Sequence, residues 1–260
     1  MIDFSFPASE LEYFLLVLTR ISLFVYIAPF FSINSVPNRV KIAFSVFLSF
    51  LIYNITFPHE VPEYETLLQY SIIVLREATT GILLGFGASV STSVVNFAGR
   101  IVDMEIGMSM ASVMDPTTRE NTTITGVLYQ YGFMLILVCT GFYRYLISAL
   151  AESYTLIPVG MAAFDLDAIN TTLLRFMSEY MLLGFRIALP VVATIMMLNA
   201  VLAILAKVAP QMNMFAVGMQ LKVMTGFIIL FLTIGMMPTI SDMILNLIKS
   251  MVKSFAEAMM

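Results

Sequence analysis

Acidic side chains inside or beside long apolar runs are the residues of this sequence whose types and positions could support chemistry: Glu77, Asp103, Glu105, Glu152 and Glu179. A carboxylate is costly in hydrocarbon, so such a residue normally faces a protein interior or a water-filled path. There it can relay protons during transport, or it can pair with a basic residue inside the protein. The positions alone leave both interpretations open.

Basic residues occur in the same apolar runs, where they could serve as partners for these acids. Arg20 lies in the first run and Arg186 in a later, very long one. Arg76 is adjacent to Glu77, and neighbouring residues of a helix point to different sides. We therefore expect that Arg76 and Glu77 do not neutralise each other and that each needs another partner.

The motifs of the common hydrolases and metalloenzymes are absent from the sequence. A single histidine rules out the H-E-x-x-H zinc motif, and a single cysteine, Cys139, rules out an internal disulfide and a multi-cysteine metal site. The sequence contains no G-x-S-x-G with a usable base and no phosphate-binding P-loop. We predict a protein that is not an enzyme and that binds no cofactor and no metal.

The composition is that of an integral membrane protein. The 260 residues are 60% hydrophobic and only 12% charged, with a mean hydropathy of +0.93, whereas soluble domains carry about 25% charged residues. The net charge of −4 and the absence of a Lys/Arg cluster exclude nucleic acid as a partner. We predict an all-α, polytopic membrane protein that forms a single domain over residues 1–260 and contacts membrane lipid.

Six apolar runs supply the predicted helices: residues 11–31, 41–57, 67–98, 125–150, 173–208 and 221–237. The run 173–208 is too long for one straight span, and Gly184 and Pro190 predict a kink or break within it. Pro238 is expected to end the last run. The tail, residues 239–260, has apolar residues at helical spacing, so we predict an amphipathic helix at an interface or on a partner.

The central stretch, residues 98–122, is interrupted by charges and then loses helical character. Gly107 frees the backbone, and three methionines follow on small neighbours: Met108, Met110 and Met114. Asp115 and Pro116 stop any helix, because proline lacks an N–H and disfavours helical geometry in the residue before it. Methionine re-packs easily around irregular gaps, so the segment suits a soft seal. An ordinary loop whose methionines only pack explains the same pattern.

A helix-breaking, amide-rich turn lies between two apolar runs at residues 207–215. Its candidate functional residues are Pro210, Gln211, Asn213 and Phe215. A broken helix at this turn could bind a small solute, as in carriers built from two related halves. The two halves of the sequence show no convincing correspondence, so a proton-coupled small-solute carrier is kept as the alternative. The preferred role for the turn is subunit contact or a pore entrance.

Several spaced motifs resemble one family over nearly the whole chain. The matching pieces are Ala28-Pro29-Phe30, residues 37–41, Glu77 with Gly81 and Gly85, Ala98-Gly99 with Asp103, Gly107-Met108-Ser109, Asp115-Pro116, Gly141 with Ser153 and Pro158, and residues 209–218 with Leu221-Lys222. In this order they resemble the R-type subunits of the bacterial flagellar type III export gate, the FliR family, and their relatives in virulence secretion systems. Phe142-Tyr143 replaces a pair that often contains histidine, so a histidine-based pH sensor is not carried over.

The resemblance implies a fold, partners and a location. One R-type subunit assembles with several P-type and Q-type subunits into a closed, helical, hetero-oligomeric channel whose helices are arranged as packed hairpins. The channel lies in the inner (cytoplasmic) membrane at the flagellar basal body, and unfolded export substrates pass through it. Within such an assembly four charges have a protein interior in which to pair: Arg20, Arg76, Glu77 and Arg186.

The resemblance also favours the soft seal, because the plug-forming loop of the family matches residues 107–122, here termed the candidate plug loop. The resulting hypothesis is a non-enzymatic core subunit of the flagellar protein export gate. It would help to form the channel and to close it with the candidate plug loop, in which Gly107 is the hinge and Asp115-Pro116 the anchor at the other end.

Overall fold

The computed structural model of the chain describes residues 8–33, 35–56, 62–109, 112–114, 121–209, 211 and 213–260. Within these residues the protein is almost entirely helical. The elements are α1 (Ala8–Ile27), α2 (Asn38–Ile55), α3 (Leu67–Ile106), β1 (Ser112–Met114), β2 (Asn121–Thr123), α4 (Ile124–Cys139), α5 (Phe142–Leu156), α6 (Leu166–Val208), α7 (Met214–Thr233), a 3-10 turn (Ile234–Met236) and α8 (Met237–Glu257). The all-α prediction is confirmed.

Three helical stretches in the described residues are long and apolar enough to cross a membrane. They are α3, α6 and the stretch Phe215–Glu257, which combines α7, the 3-10 turn and α8. The bent pair α4 and α5 would add a fourth if it forms one span. The run 125–150 was expected to be one block, but Gly141 interrupts it in a left-handed conformation with φ 68°. By length and composition, the prediction of a polytopic membrane protein is confirmed.

Helix α3 is longer than the apolar run that predicted it. The run ended at Ala98, whereas the helix continues to Ile106. The charged residues that seemed to interrupt the central stretch therefore lie on a regular helix. Only the segment after Ile106 leaves helical geometry, and the candidate plug loop starts at that point.

Neither Pro190 nor Pro238 breaks or ends a helix, in contrast to the break expected at Pro190 and the helix end expected at Pro238. Helix α6 runs through Pro190 without a break, since a proline in a long membrane helix removes one hydrogen bond that its surroundings can compensate. Pro238 does not end a helix, because it occupies the second position of α8, where its missing N–H costs nothing.

The chain contacts group into two compact units. The first comprises the described residues up to 91, residues 141–176 and residues 247–260, and the second comprises residues 92–140 and 177–246. Helices α3, α6 and α8 each contribute residues to both units, and the prediction of a single domain stays a prediction.

The first unit encloses the end of the chain. The last turns of α8 bury Met251 and Phe255, and the backbone N–H of Ala163 donates to Met259 O at 3.1 Å. A Cβ on Gly87 would lie 3.0 Å from the Phe255 ring. The apolar face of the tail therefore packs on its own chain, and a position of the tail at an interface or on a partner stays a prediction.

In the second unit, small residues allow helices to approach closely. A Cβ on Gly184 would lie 2.3 Å from Cδ1 of Phe97, and the Phe97 ring also contacts Tyr180 and Phe185. Gly184 thus serves the packing of α6 on α3 rather than a break in α6.

Candidate functional site

The candidate plug loop begins with a well-formed helix end. Gly107 has a φ of 91°, a left-handed conformation that favours glycine. The N–H of Met108 donates to Asp103 O at 2.8 Å, and the N–H of Gly107 donates to Met104 O at 3.3 Å. This pair of bonds is the Schellman motif, which satisfies the last carbonyls of a helix and turns the chain away from its axis.

The other end of the loop is tied to the same helix. The buried carboxylate of Asp103 accepts hydrogen bonds from the backbone N–H of Thr125, at 2.8 Å, and from the Thr125 hydroxyl. Thr125 is the second residue of α4, so Asp103 caps the N-terminus of that helix from outside it. The negative charge lies where the helix dipole favours it.

A close backbone contact accompanies this cap. A Cβ on Gly99 would lie 2.4 Å from the Cα of Gly126. Gly99 and Asp103 are four residues apart and therefore share a face of α3. The end of α3 and the start of α4 consequently meet both by direct backbone packing and by hydrogen bonds.

Between these ends the described residues include a short antiparallel pair of strands. β1 pairs with β2 in antiparallel register, with Val113 opposite Thr122 and Met114 opposite Asn121. Met108 is half-buried. Met110, Asp115 and Pro116 lie outside the described residues, so the methionine seal stays a prediction.

Gly107 and the predicted turn residue Phe215 line the same cleft. The cleft has a volume of about 290 Å³, and its walls include Ile106, Gly107, Leu202, Phe215, Met219 and Lys222. Asn213 caps α7, because its side-chain oxygen accepts from the N–H of Ala216 at 3.4 Å. Gln211 and Phe215 are exposed, and Pro210 lies outside the described residues.

A buried ion pair forms a second candidate site, in the first unit. Arg20 of α1 and Glu77 of α3 are both fully buried, and the guanidinium donates to the two carboxylate oxygens at 2.7 and 3.0 Å. The backbone N–H of Gly160 also donates to Glu77, at 2.7 Å. Three donors thus hold the carboxylate, as a buried charge requires.

The remaining donors of Arg20 serve the end of α5. Its Nη1 donates to the carbonyl oxygens of Ser153, at 3.3 Å, and Ile157, at 3.1 Å. The Tyr154 ring lies 4.2 Å from the guanidinium carbon, which adds a cation–π contact.

Arg76 and Arg186 do not join this cluster. Both are exposed in the chain, although Arg76 precedes Glu77 directly. Glu77 pairs with a residue of another helix, as the geometry of adjacent helical residues suggested. Burial of Arg76 and Arg186 against a partner stays a prediction.

The sequence interpretation missed the residues that satisfy the buried charges. Thr125, Ile157 and Gly160 act mainly through backbone groups, and backbone groups leave no signature in side-chain type. The spacing of Gly99 and Asp103, followed by Gly126, was the available signal for the crossing of α3 and α4. Among the described residues, no group of three His, Cys, Asp or Glu side chains could hold a metal ion.

The length and apolar composition of its helices place the chain among the helical membrane proteins. The family model of the bacterial export proteins, family 1, matches residues 11–251, and the chain belongs to that family. The family that the sequence motifs resembled is therefore confirmed.

Relatives over nearly the full length carry the name flagellar biosynthetic protein FliR. The one from Bacillus subtilis (strain 168) is 29% identical over 86% of this chain and 85% of its own. The one from Aquifex aeolicus (strain VF5) is 30% identical over 83% and 82%, respectively. The one from Escherichia coli (strain K12) is 27% identical over 86% and 84%.

Proposed function

We propose that this chain is a non-enzymatic core subunit of the flagellar type III protein export gate in the inner membrane, at the flagellar basal body. It assembles there with P-type and Q-type subunits into a closed helical channel for unfolded substrates. The family match and the names of the relatives support this role. The candidate plug loop, residues 107–122, helps to seal the channel at rest.

The observation that carries the proposal is the apolar surface left uncovered by the chain itself. In an apolar stretch of 18 residues within α3, 56% is buried, against only 28% for the corresponding stretch of α6 and 17% for that of α7 and α8. Such helices need either lipid or protein around them. A subunit of a hetero-oligomer provides the second kind of cover, and an exposed Arg186 on α6 then finds a protein partner.

The ends of the candidate plug loop support its role as a seal. A segment that closes a pore must start and finish at fixed points while its middle adapts to a passing chain. The Schellman end at Gly107 and the Asp103–Thr125 cap supply such points. Methionines between them would fill the irregular gap and give way under pressure.

Co-purification in mild detergent tests the assembly. The chain is expressed at native level with an affinity tag, and the eluate is analysed by mass spectrometry. We expect a stable hetero-oligomer with P-type and Q-type subunits. A chain that elutes alone or as a homo-oligomer, and that moves a small solute into vesicles in exchange for protons, would establish the carrier instead.

Deletion of residues 107–122 tests the seal. The deleted chain is co-expressed with its partners, and the purified complex is inserted into planar bilayers. We expect normal subunit composition but a higher resting conductance to small ions than in the wild type. An assembled complex with unchanged conductance would remove the plug from the proposal and leave the assembly role intact.

A further inference from the structure

Asp103 is bonded to both ends of the candidate plug loop. Its backbone carbonyl accepts from the N–H of Met108, where the loop begins. Its carboxylate accepts from the N–H and hydroxyl of Thr125, just after the loop ends. One residue, fully buried on the last turn of α3, therefore connects two points that are separated along the chain by the whole loop.

The surroundings of Asp103 make this connection short and rigid. Gly99, one turn earlier on the same face, lets the backbones of α3 and α4 touch at Gly126. Thr125 is buried, so its N–H has no access to water. A buried N–H without an acceptor is costly, which means that the Asp103 carboxylate cannot leave without a replacement.

We propose that Asp103 is a positioning residue that holds the two ends of the candidate plug loop together, so that Met108 and Thr125 keep their places jointly in the resting complex. This inference rests on the proposed role of the loop as a seal. It assigns to the carboxylate a role in the resting position of the plug rather than in proton transfer. Its oxygens are occupied by Thr125, as a fixed acceptor requires.

The mechanical consequence is a coupling between the two ends. Removal of the carboxylate directly frees Thr125, but the acceptor of the Met108 N–H is a carbonyl that no side-chain substitution removes. If Asp103 joins the two ends, loss of the bond at Thr125 loosens Met108 as well. If Asp103 only caps α4, the effect stays at Thr125.

Amide hydrogen exchange of the assembled complex with P-type and Q-type subunits measures this coupling. In Asp103→Ala, we expect exchange at Thr125 and also at Gly107 and Met108 to be about tenfold faster, the effect of one lost hydrogen bond to a charged group. Thr125→Val, which removes only the hydroxyl donor, is expected to give a smaller change of the same pattern.

Two matched variants control for nonspecific damage. Thr125→Ser keeps the hydroxyl and the backbone N–H, and it should behave as the wild type. Glu105→Gln removes a charge two residues away on the same helix end, from a half-exposed side chain that forms none of the described hydrogen bonds. It should leave both exchange and conductance unchanged.

The resting conductance of the same complexes gives the functional readout. The complex with Asp103→Ala should have a higher resting conductance than the wild type and a lower one than the complex lacking residues 107–122. Combining Asp103→Ala with that deletion should raise the conductance no further. Faster exchange at Thr125 alone would overturn the inference, as would assembly failure in both Asp103→Ala and Thr125→Val, which would show a folding role. If the deletion does not leak, the seal itself fails, and hydrogen exchange still decides whether Asp103 couples the ends.

Discussion

At the scale of single residues, the chain keeps its buried charges by surrounding them with backbone donors and acceptors. Glu77 receives two bonds from Arg20 and one from Gly160, while Arg20 also serves two carbonyl groups at the end of α5. Removing one member of a buried pair leaves the other without compensation, which costs about 3–5 kcal/mol. The pair is thus a condition for the fold of the first unit.

Glu77→Leu tests this condition. We expect the free energy of unfolding to fall by about 3–5 kcal/mol and the yield of assembled complex to fall with it, as measured by thermal unfolding and co-purification. Arg76→Met, at an exposed neighbour on the same helix, should leave the free energy of unfolding of the isolated chain nearly unchanged. Normal assembly of Glu77→Leu together with lost proton-coupled transport would support a proton relay.

The double variant Arg20→Met with Glu77→Leu separates the pair from its individual charges. Because an apolar pair of similar size leaves no charge unpaired, it should be more stable than Glu77→Leu alone. Thermal unfolding of the wild type, of Arg20→Met, of Glu77→Leu and of the double variant gives the coupling energy between the two residues. Strictly additive losses would mean that the two residues act independently.

Gly107 is a residue whose type is dictated by its backbone conformation. A Cβ there would meet no heavy atom within 4 Å, so the cost of a substitution comes only from its φ of 91°. Gly107→Val should destabilise this conformation by about 1–3 kcal/mol and raise the resting conductance of the complex. Gly107→Asn, which tolerates the left-handed region, should stay closer to the wild type, and equal leak in both variants would contradict the argument.

At the scale of elements, hydrophobic runs predicted most of the helices but not where they end. Helix α3 continues eight residues beyond its apolar run because Asp103 finds a buried partner in Thr125, which local composition cannot reveal. The spacing of apolar residues in the tail predicts an amphipathic helix, but periodicity does not say what covers an apolar face, and here other residues of the chain cover part of it. Arg20 and Glu77 are far apart in the sequence. The cost of burying each charge indicated that each needs a partner, but it did not indicate which residue that partner is.

The packing of α6 on α3 depends on the absence of a side chain at Gly184. In Gly184→Ala, the new methyl group would overlap Phe97, whose ring is held by Tyr180 and Phe185. We expect a loss of about 1–3 kcal/mol in thermal unfolding. Gly235→Ala, where a Cβ meets nothing within 4 Å, is the matched control, and equal effects of the two would refute the steric explanation.

At the scale of the whole molecule, the longest helices exceed what a bilayer requires. Helix α3 has 40 residues and α6 has 43, which corresponds to about 60 Å at about 1.5 Å per residue, against a hydrocarbon core of about 30 Å. Much of their apolar surface must therefore be covered by something other than lipid tails. Neighbouring subunits are the cover that the proposed function supplies.

Thiol labelling tests whether neighbouring subunits cover this apolar surface. In a Cys139→Ser background, which lacks other cysteines, Leu189→Cys and Phe227→Cys replace side chains that are 61% and 50% exposed in the chain. Both should react quickly with a small thiol reagent in the isolated protein and slowly in the complex with P-type and Q-type subunits. Reaction of the denatured complex calibrates full labelling, and equal rates in the isolated and assembled forms would contradict the prediction.

The contacts of Arg20 also impose an order on biogenesis. Its counter-charge is made 57 residues later and the Ile157 carbonyl 137 residues later. At a synthesis rate of roughly 5–20 residues per second, the nascent first helix waits about 3–11 s for Glu77 alone. During that interval a bare guanidinium in an apolar segment resists settling in lipid. The first helix is therefore expected to enter its final place late, after its distant partners have left the ribosome.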